Sequence, residues 1–168
     1  MVIEPPPDAP EGVPWIPYGP AGDRLPERFV ALVEYETQPL RARIAASFNG
    51  AERVRADVVS VERTDGASVS PEDLTTLQLG AVMSSVVWQA TRRGKGVAEQ
   101  WGRSRTGPLD DAEVLTLARM YWFEYVSWGK PRLAIMAAFK LPRSTANRWI
   151  RKAREVHGLP GAHADEEA

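Results

Sequence analysis

With 168 residues, 43% of them hydrophobic and 26% charged, the chain has the make-up of an ordinary globular protein, sized for one domain or two small ones and too apolar for wholesale disorder. It contains no cysteine, which excludes disulfides, thiolate zinc sites, iron–sulfur clusters and a cysteine nucleophile. The net charge of −1 conceals an uneven distribution: residues 129–157 carry eight bases against one acid, whereas residues 1–91 carry thirteen acids against seven bases, and such clustering is the electrostatic footprint of a polyanion-binding segment.

Residues 1–27 are rich in proline (Pro5, Pro6, Pro7, Pro10, Pro14, Pro17, Pro20 and Pro26), and each proline removes an amide donor and fixes one backbone angle. An extended arm is expected here, with Trp15, Ile16 and Tyr18 available to pin it to a neighbour. Glu4, Asp8 and Glu11 sit where a signal peptide would be basic and then apolar. No stretch reaches the roughly 20 apolar residues of a membrane span, so a soluble, cytoplasmic protein with no membrane partner is expected.

Residues 28–92 read as a three-stranded antiparallel meander with one helix packed across it. Phe29 to Glu36 is β-branched and aromatic, and Gln38-Pro39 interrupts it. Leu40 to Phe48 follows, and Asn49-Gly50 is the dipeptide of a tight two-residue hairpin. In Val54 to Val61, Val54, Ala56 and Val58 alternate with Arg55 and Asp57, giving one buried face and one wet face. Ser70-Pro71-Glu72-Asp73 starts a helix, with a capping hydroxyl, proline at the first helical position and acids at the positive end of the dipole. One helix is expected to run to about Arg92, its stripe formed by Leu74, Leu77, Val82, Met83, Val86 and Val87. Residues 93–108 read as a basic, glycine-containing linker in which Trp101 is a candidate anchor.

Asp110-Asp111-Ala112-Glu113 opens another long helix with a capping signature, followed by Val114, Leu117, Ala118, Tyr121, Tyr125 and Trp128 at helical steps. Gly129 stops it, and Lys130-Pro131 begins a short helix to Phe139 whose apolar residues Leu133, Ile135, Met136 and Phe139 imply heavy burial. Lys140-Leu141-Pro142 then breaks the chain before a last helix over 143–157. On that helix Ala146, Trp149, Ile150 and Ala153 share one stripe, while Arg143, Ser144, Asn147, Arg148 and Arg151 lie opposite. A groove-reading helix needs this division: one side held by the protein, the other offering donors to base edges and phosphates.

The stretch from Pro131 to Glu155 resembles the helix-turn-helix family, in the form common in small regulators and phage proteins of actinobacteria. The resemblance covers about Leu109 to Pro160 and rests on Ile135, the three-residue turn with Leu141, the Arg143-Ser144-Thr145 opening, the small Ala146 and the pair Trp149-Ile150. Met136 stands where alanine is usual and Lys140 where glycine is usual, so Lys140 is expected in a left-handed backbone. Gly158-Leu159-Pro160 ends the helix in the manner of the group.

Together these elements give an expected α+β protein: a small N-terminal antiparallel three-stranded sheet with one packed helix, then an all-α three-helix domain over 109–159, with an acidic tail over 160–168. The resemblance makes the three-helix domain a helix-turn-helix. It implies a site-specific double-stranded-DNA-binding protein, a transcriptional regulator rather than an enzyme, reading the major groove with Arg143, Ser144, Thr145, Asn147, Arg148, Arg151 and Lys152. Lys130 and Arg132, at the entry to the preceding helix, complete the expected contact set. No catalytic residue, metal or cofactor is expected, His157 and His163 being isolated. Residues 28–92 are expected to form a homodimer. The alternative is a DNA-targeting subunit of a recombination or DNA-packaging assembly.

Overall fold

A computed structural model describes residues 2–3, 12–90, 108–127 and 129–160. The linker from 93 to 107, Trp101, Trp128, His163 and the acidic tail from 161 lie outside the described residues. The chain is α+β. Its strands are β1 (Val2–Ile3), β2 (Trp15–Tyr18), β3 (Asp23–Pro26), β4 (Arg28–Glu34), β5 (Leu40–Ser47) and β6 (Arg55–Arg63), and its described helices are α1 (Pro71–Thr76), α2 (Leu79–Ala90), α3 (Asp111–Val126), α4 (Pro131–Phe139) and α5 (Arg143–His157).

The expected meander is present as β4-β5-β6, antiparallel throughout, but β1 adds at the β4 edge, so the sheet has four strands in the order β1-β4-β5-β6. The extended arm is also corrected. Residues 15–26 form a second, two-stranded sheet, β2 against β3, turning through Gly19-Pro20-Ala21-Gly22 with both glycines at positive φ. Pro17 and Pro26 are accommodated because each strand of a two-stranded sheet has a free edge that needs no amide donor. Tyr18 and Leu25, 2% and 0% exposed, anchor the hairpin in the core, whereas Trp15 remains 42% exposed.

The turn between β5 and β6 differs from the two-residue hairpin that Asn49-Gly50 suggested. Residues 48–54 form the connection, with Asn49 Oδ1 accepting from the Ala51 and Glu52 amides at 3.0 and 3.1 Å. Phe48 and Val54 are both buried, and the Val54 amide donates to the Val126 carbonyl at 3.0 Å, drawing the loop inward. One residue into β6 the pairing slips: Ala46 faces Ala56 and Ala45 faces Val58, leaving Asp57 as the extra residue of a bulge. The bulge breaks the expected alternation, and Val58 turns outward at 53% exposure while Val59 faces in.

The single helix expected over 70–92 is two. Ser70 caps α1 in a box with Asp73, as the sequence suggested, but the chain breaks at Leu77-Gln78, where Gln78 takes φ 41°. The Leu77 carbonyl at the break accepts from the Tyr35 hydroxyl at 2.9 Å. The change of direction seats Leu77, Val82, Met83, Val86 and Val87 against the sheet and leaves Leu74 55% exposed, outside the core stripe.

Two apolar clusters result. The first lies between the inward face of the sheet and α2; the second is built from α3, α4 and α5. Helix α3 belongs to both: Val114, Leu117, Ala118 and Tyr121 line the second, while Phe123 and Val126 pack on the first and Trp122 and Tyr125 border each. Arg119 adds a forked pair to Asp23 of β3, at 3.0 and 3.2 Å. Gly129, after the helix, lies close against Glu124: a Cβ there would displace the Glu124 carboxylate and sit tight against its carbonyl.

Candidate nucleic-acid interface

Helix α4 has proline at its first position and buries Pro131, Arg132, Ile135 and Phe139 along one side. This side includes Arg132, only 9% exposed, and excludes Leu133, 49% exposed. Both differ from expectation. The buried stripe runs through 132, 135 and 139, three and four residues apart, and Leu133 lies one residue round from it. Arg132 is therefore removed from the set of surface contacts.

The helix ends at Lys140, which takes φ 52° and ψ 45°, the left-handed conformation expected at this position. The Lys140 and Leu141 amides both donate to the Met136 carbonyl, closing the last turn of α4. Pro142 is extended, at φ −68° and ψ 152°, and starts α5 without a side-chain cap. The Pro142 carbonyl accepts from the Thr145 and Ala146 amides, both at 3.1 Å. Three residues thus separate two helices that share one core.

On α5, Ala146 and Ala153 are 0% exposed, Ile150 3% and Trp149 4%. The Trp149 ring meets Phe139 edge to face, centroids 5.5 Å apart, fixing α5 against α4. Small Ala146 and Ala153 let the helix axis approach α3 and α4 closely, and the aromatic ring fills the space between them. The helix ends at Gly158, φ 61°, whose amide donates to the Arg154 carbonyl at 2.9 Å, and Leu159 folds back into the core.

The other side of α5 is open. Arg143, Ser144, Asn147, Arg148 and Arg151 are all exposed, and Thr145 is half-buried. Glu155, also exposed, follows Arg151 by one turn on the same side, so the exposed bases Arg143, Arg148 and Arg151 all precede it along the helix. Lys152 departs from expectation. It is half-buried, and its ammonium donates to the Leu109 carbonyl at 2.6 Å. That bond ties α5 to the residue just before the Asp110 cap of α3, so Lys152 holds the helix in place instead of facing outward.

Of the eight bases between 129 and 157, Lys130, Lys140, Arg143, Arg148 and Arg151 are exposed, while Arg132, Lys152 and Arg154 are wholly or partly buried. Lys140 was outside the expected contact set. Its signal was a base inside a three-residue interhelical turn, where the backbone projects from the core. Comparison of the chain with protein-family models, with curated proteins and with solved structures finds no match to any of them.

Proposed function

We propose that the protein binds double-stranded DNA site-specifically, as a regulator, with α4 and α5 acting as a helix-turn-helix and the first half of α5 lying in the major groove. The observation that carries this reading is the split character of α5: Ala146, Trp149, Ile150 and Ala153 are buried, and Ser144, Asn147, Arg148 and Arg151 stand exposed opposite them. Arg148 suits the paired acceptors of guanine, Asn147 suits adenine, and Ser144, Arg143 and Arg151 suit phosphates. The start of α5, which has no side-chain cap, adds the positive end of the helix dipole, favourable to a phosphate.

Selection of bound fragments from a random duplex pool tests the reading directly. A recurrent sequence is expected, and Arg148→Ala is expected to weaken binding to it by about 1–3 kcal/mol and relax the preference at one base pair. Recovery of no preferred sequence, with Arg148→Ala binding like the parent, would refute it.

A further inference from the structure

The inward face of the β4-β5-β6 sheet is the core; its outward face is open among the described residues and has an ordered charge pattern. Strand pairing arranges that face in four cross-strand rows: Arg28-Ser47-Arg55, Val30-Ala45-Val58, Leu32-Arg43-Ser60 and Glu34-Arg41-Glu62. The two middle rows hold the apolar residues, with Leu32 40% and Val58 53% exposed. The first row is cationic, moderated by Asp57, which pairs with Arg55 at 2.8 Å. The last row is anionic, with Arg41 held between Glu34 and Glu62 at 2.7 and 3.3 Å.

We propose that this face is the docking surface for a second copy of the chain. A twofold axis lying across the strands, between the two middle rows, reverses the row order and leaves each strand over its own counterpart. Arg28 then lies over the second copy's Glu34, and Arg55 over its Glu62. Both contacts occur twice by symmetry. In the middle, Val30 meets the second copy's Leu32, and Arg43 meets Ala45, whose small side chain leaves room for it. The charge pattern complements itself under this operation, which a face built merely for solvation has no reason to do. Aligned packing of two sheets about 10 Å apart is the ordinary geometry for such a contact.

The size of the face sets the strength. Three strands about 4.8 Å apart and seven residues long at about 3.3 Å each give a footprint of roughly 300 Å² per copy, well below the standard interface. Self-association is therefore weak and concentration-dependent. It is independent of the DNA reading and is measured without DNA.

Sedimentation of the full chain over about 1–500 µM is the test. A reversible monomer–dimer equilibrium is expected. Leu32→Glu and Val58→Glu, both at exposed positions, are expected to weaken it at least tenfold, with circular dichroism reporting an unchanged fold. Arg28→Glu and Glu34→Lys are each expected to weaken it, and the two together to restore association to within about threefold of the parent, because the swapped charges face each other across the axis. Arg41 keeps Glu62 in the Glu34 variant, so the face retains an ion pair of its own. A chain that stays monomeric throughout, a dimer indifferent to Leu32→Glu and Val58→Glu, or a double charge swap no better than the single ones would overturn the proposal.

Discussion

Arg151 and Lys152 are neighbours in sequence, carry the same charge and are separated by about 100° around the helix, yet the structure gives them opposite duties. Arg151 is exposed beside Asn147 and Arg148, whereas Lys152 is half-buried and bonded to the Leu109 carbonyl at 2.6 Å. If the five exposed bases all neutralise phosphates, the slope of log affinity against log salt is at most about −4.5 per copy, since each contact contributes about −0.9. Removing Arg151 removes one such contact, so the ratio of parent to Arg151→Ala affinity is expected to fall about 3.5-fold between roughly 50 and 200 mM salt. Lys152→Ala is expected to leave the salt slope unchanged. Its loss is a charged hydrogen bond to a carbonyl in a partly solvated position, about 1–2 kcal/mol of folding stability, or roughly 2–6 °C in Tm for a chain of this size. Fluorescence anisotropy on a labelled duplex across a salt series, with thermal melts of the same proteins, measures both quantities. A Lys152→Ala protein with a flattened slope and a parental Tm, or an Arg151→Ala protein with the parental slope, would refute the assignment of the two faces.

Lys140→Gly should stabilise the protein by up to about 1 kcal/mol, because relief of the left-handed strain exceeds the flexibility glycine adds to the unfolded chain; calorimetry giving a lower Tm would contradict the backbone assignment. Burial raises the Glu124 carboxyl pKa above its ordinary 4.5, so the native state holds that proton more tightly than the unfolded state. Stability is lost on this account as pH rises from about 4.5 through the folded pKa. Glu124→Gln should therefore raise the Tm at pH 7 and match the parent near pH 4, and urea titrations showing the reverse order would argue against a desolvated carboxylate. The forked Arg119–Asp23 pair, a link between β3 and α3, should give a coupling of about 1 kcal/mol in a double-mutant cycle of alanine substitutions; additive losses would show that the hairpin is held by its apolar contacts and not by this pair.

Features that depend on residues a turn or two apart were legible in the amino-acid order. The Ser70–Asp73 and Asp110–Glu113 boxes stand where the capping residues put them, and the left-handed backbone of Lys140 agrees with the expectation drawn from the resemblance, which has glycine at that position. The two sides of α5 were legible too, because a helical period sorts residues without knowledge of what lies opposite. Tertiary structure decided what local order leaves open. The prolines of 15–26 do not disclose that the segment finds a partner strand in itself. The break at Gln78 depends on Leu77 reaching the core and on a hydroxyl from Tyr35, 42 residues away. The bulge at Asp57 turns Val58 onto the outward face of the sheet. Arg132 and Lys152 look like their surface neighbours until α3 is in place to bury one side of α4 and offer the Leu109 carbonyl to α5. A charge announces itself in sequence, but the surface it faces is set by whichever distant segment packs beside it.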